Sequence, residues 1–462
     1  MRTTLFFQPD GAPLAVGGFT ARGMMWFMGL GARRGWFIVG LVLMSSLTFV
    51  HGQESQWQSL AGEASAMSQK LKPEQMDYNL EVGPVLMNVG VALANGYNSN
   101  VNLKESGAIG SAYTAPSATI NFSWPISDLN TLTFGVTGGY SYYWNVAESQ
   151  SPGGVTLAPT SALKGKFFVG DFRFSPYEQF SIQQDPTQAG ELSNVSRFSI
   201  FQNSVGTNVD WDLGDYVITG GFDYFDLLAL QSQFEYLQRT TMTPSLSASY
   251  YLTRTFAVGL EGVAALTTYG SKASTPQTLS NGTIAYGQNN NNIYQVGPFL
   301  NARLSEYITV SGRVGYVWGE FTGNQTPDSA AGGNPSTFYL NAELDHRLNE
   351  FMSYALTASR STQISASLGQ NYVEVWLFNF RPSWKIVDQM TISTPIFVEL
   401  GKQSGNVNAE TYQRYGPAIN LGYKLTEKLG SSLNFSYLIK DSNLPSYSYD
   451  QWSAVLNFNY DF

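Results

Sequence analysis

The sequence predicts an all-β fold, a closed antiparallel transmembrane β-barrel of about eighteen strands, on three observations. From Val85 onward apolar residues alternate with Thr, Ser, Asn and Gly at period two, a pattern that only strands with two unlike faces can use. Tight turns alternate with long polar connections along the chain, as in barrels that cross a membrane with turns at one end and loops at the other. Composition agrees: 13% of the 462 residues are charged and 14% aromatic, with 45 Gly, whereas an ordinary soluble protein is about one quarter charged.

The chain opens differently. Trp36 to Val50, WFIVGLVLMSSLTFV, follows Arg33 and Arg34 and precedes a cleavage-like step at Val50, His51 and Gly52, which reads as a signal peptide over 1–52. The run is about 15 residues, shorter than the roughly 20 of a spanning helix. Translation starts at Met1 or at Met24, Met25 or Met28. Arg33-Arg34 lack twin-arginine spacing, so the general secretory route is expected. Residues 1–52 hold four Arg and one Asp, which leaves 21 basic and 33 acidic residues and a formal charge of −12. That sign argues against nucleic acid as a partner. Cys is absent, which excludes disulfides and thiolate metal sites. Over 53–77, Trp57, Leu60, Ala61, Ala64, Met67 and Leu71 recur at helical spacing until Pro73, predicting a short periplasmic helix that either plugs a pore, docks on a partner or leads into the first strand.

The barrel is expected over 78–462. Its strands are placed at 85–98, 116–126, 131–145, 162–174, 177–184, 196–211, 216–230, 239–252, 255–270, 293–304, 307–321, 337–347, 351–364, 371–385, 389–402, 411–425, 429–440 and 450–462. The segment 177–184 is short and bears Glu178; without that hairpin the count is sixteen. An even count lets first and last strands pair antiparallel, which removes every sheet edge and satisfies the backbone inside lipid. Five turns share one form, an apolar residue, then Ser, Thr or Asn, then a charge: Ile126-Ser127-Asp128, Leu252-Thr253-Arg254, Leu304-Ser305-Glu306, Leu348-Asn349-Glu350 and Leu425-Thr426-Glu427. The middle side chain can satisfy turn backbone and the charge marks water. The long connections are Lys104 to Ala115, Val146 to Pro159, Lys272 to Asn292 and Thr322 to Ser336; Lys272 to Asn292 is long enough to fold into the lumen.

The last strand carries a more specific signature. Leu456, Phe458, Tyr460 and Phe462 alternate to an aromatic carboxy-terminus, and the first strand reads VGVALANGYNSNVNL, with Tyr97-x-x-Asn100 at its end. By these features the chain resembles the porin-like β-barrels of Gram-negative outer membranes, and is more loosely similar to the β-barrel porin 2 group. The resemblance covers about 385 residues from Asp77. It implies location in the cell outer membrane, insertion by the barrel-assembly machinery reading the terminal residues, and a channel that needs no cofactor.

Parity assigns the charges. With Phe256, Val258, Leu260 and Leu266 facing lipid, Glu261 faces the lumen, and Ile308, Val310, Val314, Tyr316 and Trp318 do the same for Arg313. Asp171, Arg173, Asp223, Arg303, Glu343, Asp345, Arg381, Glu399, Arg414 and Lys424 are sent inward by the same rule. A lipid-facing Arg or Lys at mid-membrane costs about 2–4 kcal/mol, so the rule is a real test of the barrel. These residues are either solvated lumen wall or a solute-selecting constriction, with Glu261, Arg303 and Arg313 facing Arg381, Glu399 and Arg414 across the pore. Six of the twelve are basic and six acidic, so no ion preference follows.

Barrels of this strand number are wide enough for water, so the expected function is passive diffusion of small hydrophilic solutes. The alternatives are a dedicated exporter, for instance of polysaccharide, and a non-conducting scaffold. Enzyme chemistry is not expected. The mature chain has one histidine, His346, placed on the outer face beside the turn at Leu348 to Phe351, with no adjacent nucleophile in a recognisable arrangement. No glycine-rich phosphate loop enters a helix, and the acidic residues lack metal-ligand spacing.

Overall fold

Alternation along the chain becomes a wall with two chemistries. The computed structural model describes residues 78–147, 152–271, 277–278, 284–285, 287–322, 333–405 and 409–462, and the expected leader and the helix of 53–77 lie outside them. Among the described residues eighteen staves form the barrel. They are β1 Val85–Asn98, β2 Ser111–Pro125, β3 Thr131–Tyr143, β4 in two pieces Gly153–Leu157 and Ala162–Val169, β5 Phe172–Gln183 and β6 Ile200–Asp212. Next come β7 Tyr216–Ala229, β8 Arg239–Thr253, β9 Phe256–Tyr269, β10 Asn290–Arg303, β11 Ile308–Thr322 and β12 Ser336–Arg347. The last are β13 Met352–Ile364, β14 Tyr372–Val387, β15 in two pieces Met390–Ser393 and Ile396–Gln403, β16 Thr411–Lys424, β17 Leu429–Ser442 and β18 Tyr449–Asp461.

Neighbouring staves pair antiparallel throughout. β18 closes on β1 with Phe458 opposite Leu93 and Tyr460 opposite Val91. Each of the eighteen described staves thus has a neighbour on both sides, which is what a strand-built membrane protein requires. On β8, Met242, Leu246 and Tyr250 are exposed on the outside, while Thr241, Thr243, Ser247 and Ser249 between them are buried inside. Inner-wall hydroxyls meet directly across strands: Thr119 and Thr137 at 2.8 Å, Thr241 and Thr267 at 3.0 Å, Ser436 and Ser453 at 2.7 Å. Such cross-strand pairs hold register where no apolar core is available.

All five turns of the shared form use their middle side chain as an acceptor. Ser305 Oγ accepts from Tyr307 and Ile308 N–H at 3.1 Å each, and Asn349 Oδ1 accepts from Phe351 and Met352 N–H at 2.8 Å each. Thr426 Oγ1 takes Lys428 and Leu429 N–H, Thr253 Oγ1 takes Thr255 N–H, and Ser127 Oγ takes Asn130 N–H. The Tyr97-x-x-Asn100 segment has a similar local logic. Asn100 is buried and donates through Nδ2 to the carbonyls of Lys104 and Asp450 at 2.8 and 2.9 Å, tying the first loop to β18.

Three readings need correction. The turn between β4 and β5 sits at Gly170, whose φ of 62° suits glycine, so Asp171 is an exposed turn residue and not a lumen residue. β5 therefore starts at Phe172, ahead of the expected 177, and runs 12 residues to Gln183, and the sixteen-strand alternative falls away. The expected 162–174 strand ends at Val169, with 172–174 opening β5, and gains an earlier piece, Gly153–Leu157, across a break at Ala158 to Ser161; the expected 389–402 strand is interrupted at Thr394-Pro395, and at both breaks a proline, Pro159 or Pro395, has no N–H for the ladder. Finally, not every charge obeys the inward parity. Glu178 is exposed on the outside between Leu163 and Val205, and Arg360 faces outward beneath the Phe338 ring at 4.2 Å, paired to Glu374 at 2.9 Å.

Candidate functional site

Inside the wall, charges pair with neighbours on the same side of the barrel. Arg313 Nη1 of β11 lies 2.8 Å from Glu261 Oε2 of β9, both buried, and Tyr339 Oη of β12 donates to Glu261 Oε1 at 3.0 Å. The tyrosine reaches three strands because nothing stands in its path. A Cβ on Gly315 would lie 2.5 Å from its ring, and one on Gly297 would lie 2.7 Å from its hydroxyl. Further round the ring, Arg414 Nη2 of β16 is 3.0 Å from Glu399 Oε2 of β15, and Tyr412 Oη donates to Glu399 Oε1 at 2.9 Å. Opposite charges are thus neutralised side by side, and the expected field of Glu261, Arg303 and Arg313 against Arg381, Glu399 and Arg414 is not the arrangement found.

The remaining expected residues divide by exposure. Asp223 is buried and accepts from Tyr177 Oη at 2.8 Å and from Ser204 Oγ. Arg381 and Glu343 stand 3.5 Å apart with side chains 44% and 39% exposed, and Asp345 and Arg303 are exposed toward the turn end. Arg173, sent inward by parity, is buried against Asp210 at 2.5 Å, an acid that parity left unassigned. His346 stands where expected on the outer face, its Nδ1 3.0 Å from Tyr354 Oη.

The largest feature that sequence patterning missed is the connection from β5 to β6. Residues 184–199 leave one side of the barrel and bond to the other side, reaching β16 and the loops after β13 and β17. In a ring of eighteen staves that path crosses the lumen near the loop end. Glu191 Oε1 accepts from Ser365 Oγ at 3.0 Å and from the Ala366 N–H. Arg414 Nη1 donates to the Thr187 carbonyl at 2.8 Å, and Asn194 N–H donates to the Leu103 carbonyl at 2.9 Å. Ser193 Oγ receives the Lys440 ammonium at 2.9 Å, and Asn194 Nδ2 reaches the Ser446 carbonyl at 2.9 Å. Gly190 passes so close to the wall that a Cβ there would lie 2.1 Å from Glu399 Oε1 and 2.6 Å from Tyr412 Oη, so a larger residue has to push those side chains aside.

An apolar cluster supports this crossbar. Leu192 and Phe198 pack with Ile200, Phe225, Leu227, Phe234, Tyr236, Leu237 and Ala366, all buried, and Tyr236 Oη donates to the Ala366 carbonyl at 2.6 Å. Burial also pushes the Tyr236 hydroxyl well above the ordinary tyrosine range. Beside the crossbar, Glu410, between β15 and β16, is 2.7 Å from Lys440 Nζ of β17. Its carboxyl is pushed up by burial, with the ammonium pulling the other way. The signal for all this was present: Leu192, Val195 and Phe198 are apolar in a segment that an ordinary water-exposed loop would keep polar. The expected inward loop, Lys272 to Asn292, falls mostly outside the described residues, and its end at Gln288 and Asn289 is buried.

A closed antiparallel wall with an apolar outside and a polar, charge-paired inside defines a porin-like transmembrane β-barrel. No family model and no curated protein matches the chain. Solved structures similar to it include the outer-membrane protein OpdK of Pseudomonas aeruginosa with vanillate, at 10% identity and TM-score 0.45 over 81% of this chain and 99% of that one. A BenF-like porin from Pseudomonas fluorescens Pf-5 aligns at 10% identity and TM-score 0.46 over 81% and 99%. OccAB3 of Acinetobacter baumannii aligns at 10% identity and TM-score 0.44 over 81% and 99%. Similarity at this level says nothing about a solute.

Proposed function

We propose that the chain is an outer-membrane channel for passive diffusion of small hydrophilic solutes, narrowed near its loop end by the crossbar of residues 184–199. The observation that carries this is the lumen itself: a polar wall on which Arg173, Arg313 and Arg414 are each buried against an acid and Asp223 is held by hydroxyls, crossed by a segment held through discrete polar contacts. Matched charges cost a passing neutral solute no net electrostatic work, while an unmatched ring would sort ions. The half-exposed Arg381, Glu343 and Asp345 are the residues proposed to meet solute toward the turn end. Leu456, Phe458 and Tyr460, exposed in one outward stripe on β18, and the exposed Phe462 just after it serve in this reading as the signal for the barrel-assembly machinery.

The test is single-channel conductance in planar bilayers, parent against a deletion of residues 186–195. The channel reading expects small steps from the parent and steps several-fold larger from the deletion. A barrel silent in both forms overturns it. The crossbar also favours a second reading, a non-conducting scaffold, and that reading is the one such silence would support.

A further inference from the structure

One row of the inner wall beneath the crossbar has an unusual chemistry. Glu399 of β15 stands opposite Arg414 of β16, Arg414 opposite Lys440 of β17, and Lys440 opposite Tyr449 of β18, so four inward side chains share one register line. Three interstrand steps of about 4.8 Å make that line roughly 14 Å long. Its charges are already spent on each other, Arg414 on Glu399 at 3.0 Å and Lys440 on Glu410 at 2.7 Å. Two acids against two bases leave nothing to recruit a free ion.

What the two cations still take is a neutral oxygen, and the crossbar supplies it. Arg414 holds the Thr187 carbonyl and Lys440 holds the Ser193 hydroxyl, at 2.8 and 2.9 Å. Two further buried atoms are left over: Tyr449 Oη, on a residue 4% exposed, and Arg414 Nε, on a residue 5% exposed, have no hydrogen-bond partner among the described residues. Buried polar atoms in that state point to a missing partner. Ring faces lie along the same row, with Lys440 Nζ 5.0 Å from the Tyr412 centroid and 5.9 Å from that of Tyr449.

We infer that this row is a binding ledge for a neutral saccharide of a few sugar units, whose hydroxyls replace the Thr187 carbonyl and Ser193 hydroxyl and satisfy Tyr449 Oη and Arg414 Nε. The crossbar is then a stand-in that the solute displaces. Adjacent hydroxyls on a rigid ring offer donors and acceptors at once, and the ring's apolar face suits tyrosine. A carboxylate is disfavoured, because it would enter a low-dielectric site beside Glu399 and Glu410. The inference deepens the channel reading and rests on it for the solute's route.

The experiment adds maltotriose, and separately glucuronate, to the parent channel in planar bilayers and titrates maltotriose into the detergent-folded barrel by calorimetry. Maltotriose should interrupt the current at lower concentration than glucuronate. In Tyr449→Phe the half-blocking concentration should rise about five-fold, the equivalent of one neutral hydrogen bond. In Ser193→Ala, which weakens the competing crossbar, it should fall. A conducting parent that maltotriose does not interrupt, or that glucuronate interrupts more readily, overturns the ledge, as does a half-blocking concentration unmoved in both folded variants. Silence of both the parent and the 186–195 deletion overturns the channel reading, and calorimetry on a silent parent then decides the ledge: maltotriose bound, and more weakly by Tyr449→Phe, upholds it, and none bound overturns it.

Discussion

Glu261 shows how far a single residue in this wall depends on others. Its carboxylate is buried and is held by Arg313 and by Tyr339, which arrives over Gly315 and Gly297. Gly297 has no room for a side chain, since a Cβ would lie 2.1 Å from the Val314 carbonyl oxygen. Removing one partner of such a pair strands the other, at a cost of about 3–5 kcal/mol. Arg313→Met should therefore lower the urea stability of the vesicle-folded barrel by about that much, while Tyr339→Phe, which takes away one hydrogen bond, should cost about 1–3 kcal/mol. Equal stability for Arg313→Met and parent would mean that the pair is solvated after all. Selectivity should follow exposure instead. Arg381 is half-exposed, and a solvent-screened charge is worth about 0.2–1 kcal/mol, so Arg381→Ala should move the cation-to-anion permeability ratio toward cations by about 1.4- to five-fold. The charge-conserving double variant Glu261→Gln with Arg313→Met should leave the ratio where it is. A shift in the double variant without one in Arg381→Ala would reverse these roles.

At the scale of elements, turns and crossbar obey different rules. The five turns of shared form are local: the acceptor and the N–H groups it takes lie within three residues, so the motif can be read directly from the chain. Asn349→Ala removes an acceptor from two N–H groups and should cost about 1 kcal/mol in the same urea measurement. The crossbar is the opposite case. Its partners on the far wall, Ser365, Arg414 and Lys440, lie more than 150 residues away, and no window along the sequence contains both sides. Gly190→Val should push it from Glu399 and Tyr412, giving larger and noisier conductance steps than the parent. Unchanged steps from a folded Gly190→Val barrel would place the crossbar outside the conducting path.

The whole molecule is held by closure. β18 meets β1 along nine residue pairs, from Ser453 opposite Asn98 to Asp461 opposite Gly90, and this seam completes a ring in which every neighbour is already paired. Cooperative loss is the consequence: the barrel should migrate as a compact species on an unheated detergent gel and as a slower or faster unfolded one after boiling. Deleting residues 449–462 should abolish the compact species, because it exposes two long unpaired edges in lipid. A truncated chain that keeps the compact band would refute the closure.

Patterning along the chain narrowed the strand number to eighteen or sixteen and determined the inside and outside of nearly every strand and the form of the turns. These depend on side-chain period and on groups a few residues apart, which a linear text preserves. Errors fell where period is weak, as at Gly170, where a turn-forming glycine lay inside an otherwise continuous alternation. Parity also placed Glu261, Arg313, Glu399 and Arg414 on the inner wall. It did not show that they pair side by side, because pairing depends on register between strands and on the glycines that let Tyr339 and Tyr412 reach across. Only the closed ring decided that. By bringing β5 to face β14 and β15, closure put residues 184–199 within reach of Ser365, Arg414 and Lys440, and so converted a surface connection into the element that divides the lumen.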